Sequence, residues 1–118
     1  MNKDKVLVLK DLSSRLPYSP IVHIIDEDGT EVDALLTTST IDNLGKWVVK
    51  PYLRPMSSMT EEEKKEYKDL LYCVKYAVDT VYAVNMLTDW LNAHHFDWRG
   101  LINKGLALEA PEGMYKED

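Results

Sequence analysis

The chain has 118 residues, a formal net charge of −6, a hydrophobic fraction of 45% and a charged fraction of 29%, which is the make-up of one folded domain with its own core and not of a disordered chain. The negative balance disfavours nonspecific nucleic-acid binding, because neutralising phosphates takes a basic surface. Cys73 is the only cysteine, which excludes an internal disulfide and a multi-cysteine zinc site and fits a reducing compartment.

Met1–Lys5 is followed by the short apolar run Val6–Leu9, too brief for a signal-peptide core or a membrane span, so a cytoplasmic place is expected. Residues 1–16 are predicted to form an N-terminal helix. Leu9, Leu12 and Leu16 fall at i, i+3 and i+7 and would make a narrow apolar stripe. Val6–Leu9 is also compatible with a buried strand. Pro17 should close the helix and force Leu16 into an extended conformation.

Residues 19–50 carry strand signals. Ile21–Ile25 is short and β-branched, Asp28-Gly29 is a hairpin turn signal, and Thr30–Thr37 continues in β-favouring residues. A third strand is predicted over Lys46–Lys50, closed by Pro51, which lacks a ladder donor. Three short antiparallel strands need a cover, and the helices are the available one. The predicted fold is therefore α+β, a small antiparallel sheet of about three strands covered by three to four helices in a single domain over residues 1–118.

Lys50–Met59 reads as a connector stiffened by Pro51 and Pro55. Thr60 and Glu63 then have the spacing of a capping box, with Glu61 and Glu62 favouring the positive end of the helix dipole. The helical part is predicted over residues 60–103. Tyr67, Leu71, Val74, Val78 and Val81 keep a four-three spacing past Leu71. An unbroken helix from Thr60 to His95 would be about 54 Å long, against a diameter near ~35 Å for a compact chain of this size. A break is required, at Asp79-Thr80 or at Asn85, the latter a good N-cap for a helix over Met86–His95. The Val- and Tyr-rich run between them is also compatible with a strand. Asp97 should cap a short turn over Trp98–Asn103 that ends at Gly105, and residues 111–118 form an irregular tail, frayed beyond Tyr115.

The densest stretch is Asp89–Leu101, with two of the three tryptophans, the only phenylalanine and two of the three histidines. Leu87, Trp90, Leu91 and His94 share one helical face and should point into the core. A metal-dependent or hydrolytic site would draw on His94, His95 and Asp97, with His23 from the sheet. Adjacent helical histidines diverge by about 100°, however, and lack the i, i+4 spacing of a helical metal pair. Cys73 lies among Leu70, Leu71 and Val74, so core filling is its expected role and nucleophilic use is disfavoured. Asp79 and Asp89 are the only acids in apolar surroundings, and each has a structural use, as a cap and as a first-turn dipole complement. No glycine-rich phosphate loop is present, and no cofactor is expected.

Packing of a corner is the ordinary use of Trp90, Phe96 and Trp98. The functional alternative is a partner-binding patch. Its candidate residues are Trp98 and Arg99 at the exposed end of the stretch, with Tyr52 and Arg54 on the stiff connector, where Arg54 has the chemistry of a carboxylate or phosphate clamp.

Three segments, Lys50-Pro51-Tyr52-Leu53-Arg54-Pro55-Met56-Ser57-Ser58-Met59-Thr60-Glu61-Glu62-Glu63, Asp89–Leu101 and Gly105–Tyr115, resemble an uncharacterised family of small proteins from phages and prophages of gut bacteria. The resemblance implies a phage accessory protein in the bacterial cytoplasm and carries over no activity and no site residue. Together with the absence of a catalytic motif, it leads to the expected function: a non-enzymatic module that binds a host or phage protein. No direct nucleic-acid or membrane contact is expected, and a homodimer through the aromatic surface stays open. The rivals are the His94, His95 and Asp97 enzyme and an acidic nucleic-acid mimic. The mimic requires Asp26–Asp28, Glu61–Glu63 and Glu117-Asp118 to line up on one face.

Overall fold

A computed structural model describes residues 2–115. Helix α1 spans Lys3–Arg15 and starts at Asn2, whose side chain accepts from the Lys5 amide. Its buried residues are Val8, Asp11, Leu12 and Arg15, an i, i+3, i+4, i+7 face shifted from the predicted Leu9, Leu12 and Leu16 stripe. The shift has a physical cause: the Arg15 Nε donates to Asp11 Oδ2 at 2.8 Å with both side chains fully buried, so an ion pair lines the inner face where hydropathy alone demands leucines. Leu16 is not extended as predicted; it stays right-handed helical and, with Pro17, enters a 3-10 turn over Leu16–Tyr18. Proline is tolerated in that first turn because its missing N–H has no partner to lose there. The turn ends at Ser19, which has a positive φ of 49°.

Strands β1 (Ile21–Ile25) and β2 (Glu31–Leu35) form the predicted hairpin. The Asp26 side chain accepts from the amides of Asp28 and Thr30 inside the turn, and Gly29 supplies the positive φ. A short helix that the sequence did not announce, α2 (Thr38–Asp42), follows under its own capping box of Thr37 and Thr40. Strand β3 covers Val48–Leu53 and so runs through Pro51 instead of stopping at it. The β1 ladder ends at the Val22–Pro51 pair and a parallel β4 (Leu108–Glu109) begins at Tyr52, so the missing donor falls where one ladder ends and the other starts. The sheet order is β2-β1-β3-β4. The fold is α+β, with four strands, one of them a short parallel addition.

Val22, Ile24 and Val49 on the inner sheet face pack with Val8, Leu12 and Leu36. Leu53, Leu101 and Ala107 form a second cluster under the 97–107 loop, and Met59, Leu91 and Phe96 a third.

Helix α3 (Glu61–Tyr76) starts at the predicted box: Thr60 Oγ1 accepts from the Glu63 amide at 3.1 Å and Glu63 Oε1 from the Thr60 amide at 2.9 Å. The break comes at Ala77–Asp79, the first of the two predicted places, and α4 (Thr80–Ala93) is capped by Asp79, which accepts from the Tyr82 amide. Asn85 is therefore inside α4, no strand occupies this region, and Asp89 lies near the end of its helix and not in a first turn. Among the described residues no helix is long and apolar enough to cross a membrane. The tail beyond Tyr115, including Glu117-Asp118, lies outside the described residues.

The buried Asp11–Arg15 pair generates a stability prediction. Removing one partner leaves an uncompensated buried charge, which typically costs about 3–5 kcal/mol, whereas exchanging both for apolar residues is far milder. Asp11→Asn should lower urea-unfolding stability by about 3 kcal/mol or more, and the double variant Asp11→Leu, Arg15→Met by less than half of the single variant's loss.

Candidate functional site

The end of α4 builds a corner from backbone rules. The His95 amide donates to the Asn92 carbonyl and the Phe96 amide to the Leu91 carbonyl at 3.0 Å each, the bond pattern of a Schellman motif with its usual contact between the residue after the cap and the last helical turn, here Phe96 and Leu91. Such a motif wants a left-handed residue, most often glycine. His95 fills it at φ 62°, a conformation that a β-carbon makes unfavourable. His95 and Phe96 are then bolted to β3: the His95 carbonyl accepts from the Arg54 amide at 2.7 Å and the Asp97 amide donates to the Arg54 carbonyl at 2.8 Å. From α1, Arg15 Nη2 donates to the Phe96 carbonyl at 2.7 Å.

Side chains fill the angle between these elements. The Arg54 guanidinium lies 4.2 Å from the Phe96 ring centroid and donates to both carboxylate oxygens of Glu63, at 2.8 and 2.7 Å. His94 Nδ1 sits 3.1 Å from Glu63 Oε2. The Arg54 hydrogen bonds hold the Glu63 carboxyl down at about 2, against the opposing effect of burial and with help from the Thr60 amide. Burial pushes His95 down to about 4, aided by the electrostatic influence of nearby Arg15, His94 and Arg54. Its ring stacks on Tyr115 with centroids 3.8 Å apart. Burial raises the Tyr115 hydroxyl to about 12, and that hydroxyl bonds the Ile21 amide and the Tyr52 carbonyl, tying the tail to the sheet.

Beside the corner lies an open groove of about 1320 Å³ whose walls include Arg54, Glu63, His94, His95, Glu109 and Tyr115. Of the hydroxyls along it, Ser58 Oγ donates to the Pro55 carbonyl and Thr60 Oγ1 serves the α3 cap, and Ser57 lines it as well. Asp97 is on neither wall. Its two oxygens accept from the Leu101 and Ile102 amides at 2.7 and 3.0 Å, which makes it the predicted turn cap. His94, His95 and Asp97 thus hold three separate structural posts and converge on no common point. His23 is on the sheet between Asp33 and Glu31, which raise its pKa by hydrogen bonding. Among the described residues no set of three or more histidine, cysteine or acidic side chains is arranged to hold a metal ion.

The expected binding patch is dispersed as well. Trp98 and Arg99 are not an exposed end: Arg99 stacks on Trp98 at 4.1 Å, is 19% exposed, and approaches buried Asp11 to 3.6 Å, while Trp98 Nε1 donates to Asn92 Oδ1. Tyr52 donates to Asp33 across the outer sheet face. Arg54 is a carboxylate clamp, and the carboxylate is the chain's own Glu63. Leu87, Trp90, Leu91 and His94 do form the predicted inner face, with Tyr67, Trp90 and Phe96 stacked in sequence.

The surface that the sequence did not single out is the arm formed by the α3–α4 hairpin. Tyr72, Tyr76, Val81 and Tyr82 are 64%, 61%, 72% and 63% exposed, and Leu71, Val78, Val84 and Met86 are exposed with them. Cys73 is exposed too, not buried as core filling. The predicted stripe from Tyr67 to Val81 assumed one helical phase. Tyr67 and Val74 are partly buried, but Leu71 is exposed before the break, and Val78 and Val81 are exposed beyond the break at Ala77–Asp79, which resets the phase. The clue available in the sequence was Val81-Tyr82-Ala83-Val84 with Met86-Leu87, a helical turn apolar on every side. Compared with known proteins, the chain matches no family model, no curated protein and no solved structure.

The corner has a pH signature. A histidine held at about 4 against an ordinary 6.5 binds its proton in the unfolded chain first, so its contribution to stability is complete above about 6.5 and is lost as pH falls toward 4. His95→Asn, which keeps a residue tolerant of positive φ, should flatten the fall in melting temperature between pH 6.5 and 4 measured by circular dichroism. Glu63 acts in the same direction in a lower window, from about 4.5 down to about 2, and should still be visible in the variant. His23 acts with the opposite sign, its contribution being lost as pH rises, and cancels in the comparison of the two proteins.

Proposed function

We propose that the chain is a non-enzymatic protein-interaction module that works by docking its α3–α4 arm onto another protein. The observation that carries this reading is the apolar arm. Eight large hydrophobic side chains between Leu71 and Met86 are exposed, whereas Trp90, Phe96, Trp98, Arg54 and Arg99 are taken up by the chain's own packing. Isolated surface leucines are ordinary, but this many large apolar side chains exposed on one hairpin mark a contact surface. The tyrosines suit that use, since each offers a rigid apolar body with a polar tip and little entropy to lose.

The setting we attach to this reading is a phage-encoded accessory protein acting in the bacterial cytoplasm on a host or phage protein. The resemblance of the 50–63, 89–101 and 105–115 segments supports it. Against the enzyme reading stand the separate structural posts of His94, His95 and Asp97. Against the acidic mimic stands Glu63, which is engaged by Arg54 and so is not free to imitate a phosphate.

Because Cys73 is the sole cysteine and is exposed on the arm, a photo-crosslinker can be placed there without altering the chain. Irradiation in bacterial lysate should give discrete protein adducts. Excess unlabelled wild type should suppress them and excess Tyr82→Lys should not. The same label on Ser57→Cys in a Cys73→Ser background should give none of these adducts. Equal adducts from both positions, or competition by Tyr82→Lys as strong as by wild type, would falsify the docking reading.

A further inference from the structure

We infer that the arm's occupant is a second copy of this chain, the two hairpins packing about a two-fold axis into a four-helix bundle with the heads pointing away. This rests on the docking reading and names the partner in it.

Area is the first argument. The exposed large side chains between Leu71 and Met86 present on the order of 900 Å² summed over every side of the two helices, and a stable interface of standard size takes about 800 Å² from each partner, so both helices have to contribute. A single flat partner would meet only part of it, because the apolar groups lie on both helices. On α3, Tyr72, Cys73 and Tyr76 form a stripe at i, i+1 and i+4, separate from the inner stripe Glu63, Tyr67, Leu70 and Val74. Tyr72 and Tyr76 already stack on one another with centroids 4.5 Å apart. On α4, Tyr82 and Met86 are one turn apart, and so, on a different side, are Val81 and Val84. Hairpin against hairpin covers two helices at once, which is how a four-helix bundle buries such surfaces.

Charge is the second argument, and it favours self-association over a charged partner. From Lys68 to Met86 the arm carries Lys68 and Lys75 against Asp69 and Asp79, so it is neutral in a chain of net charge −6. Like heads repel and like arms do not. An isologous contact requires residue i of one copy to meet residue j of the other and j to meet i.

Sedimentation velocity on the full chain from about 1 μM to about 1 mM covers the range in which an interface of this size associates. The expected result is a species of twice the 13.6 kDa chain mass. Tyr76→Lys with Tyr82→Lys should weaken the dimer Kd by at least about tenfold while leaving circular dichroism unchanged, because both side chains are exposed. Leu35→Lys, on the exposed sheet edge, should leave the dimer intact. A wild type that stays monomeric throughout, or a dimer indifferent to the arm substitutions, overturns the inference. Hydrogen exchange separates the two ways a monomer can arise. Slow amides over 72–86 mean a folded arm awaiting a different protein, so self-pairing fails and docking stands; amides exchanging at unfolded rates mean that both fail.

Discussion

The structure depends on one guanidinium. Arg15, fully buried, holds Asp11 on its own helix and donates to the Phe96 carbonyl 81 residues further along the chain. A charge can be buried only if it is paired and hydrogen-bonded, so α1, the end of α4 and the start of the 97–107 loop have to meet at that point. Arg99 approaches the free oxygen of the same aspartate, and positive Arg15 contributes to the depressed pKa of His95. Remove the ion pair and the elements keep their hydrophobic faces but lose the group that sets how α4 enters the body.

That geometry explains why the richest stretch of the chain is structural. The left-handed His95 turns α4 back toward β3, Phe96 fills the angle under Arg54, Asp97 caps the next turn, and Trp98 with Arg99 closes it. Each group has one post and little freedom left over. Chemistry needs a side chain whose reactive atom is available. Here Asp97 is taken up by the Leu101 and Ile102 amides and His94 faces Glu63, while His95 Nδ1 is buried without a hydrogen-bond partner.

The arm obeys the opposite rule. The same two helices that are anchored at Glu63, Trp90 and Phe96 run outward past the body, and the molecule is elongated, 50 Å against 31 and 24 Å. At the anchored end Tyr67, Trp90 and Leu91 are covered; at the far end Tyr72, Tyr76, Val81 and Tyr82 are not. One hairpin thus joins a packed corner to an exposed apolar tip, and the tip is where the proposed docking would take place.

What could be read from the sequence was local. The Thr60–Glu63 box, the Asp28-Gly29 turn, the Asp97 cap and the Leu87, Trp90, Leu91, His94 face each rest on residues within about two helical turns of one another, where backbone geometry leaves few alternatives. The break between α3 and α4 falls at the Asp79 cap, one of the two predicted places, although the molecule is 50 Å long and exceeds the compact diameter that argued for a break. Tertiary structure decided the rest, because those outcomes turn on partners far away in sequence. The inner face of α1 contains Asp11 and Arg15 instead of leucines because Phe96 supplies an acceptor. β3 continues through Pro51 because β4 arrives to pair beyond it. Arg54 is spent on Glu63 and Arg99 on Trp98 and Asp11, and the valines of the arm are bare because no element of the body reaches them. A periodicity shows that a face is apolar; only the assembled fold shows whether anything covers it.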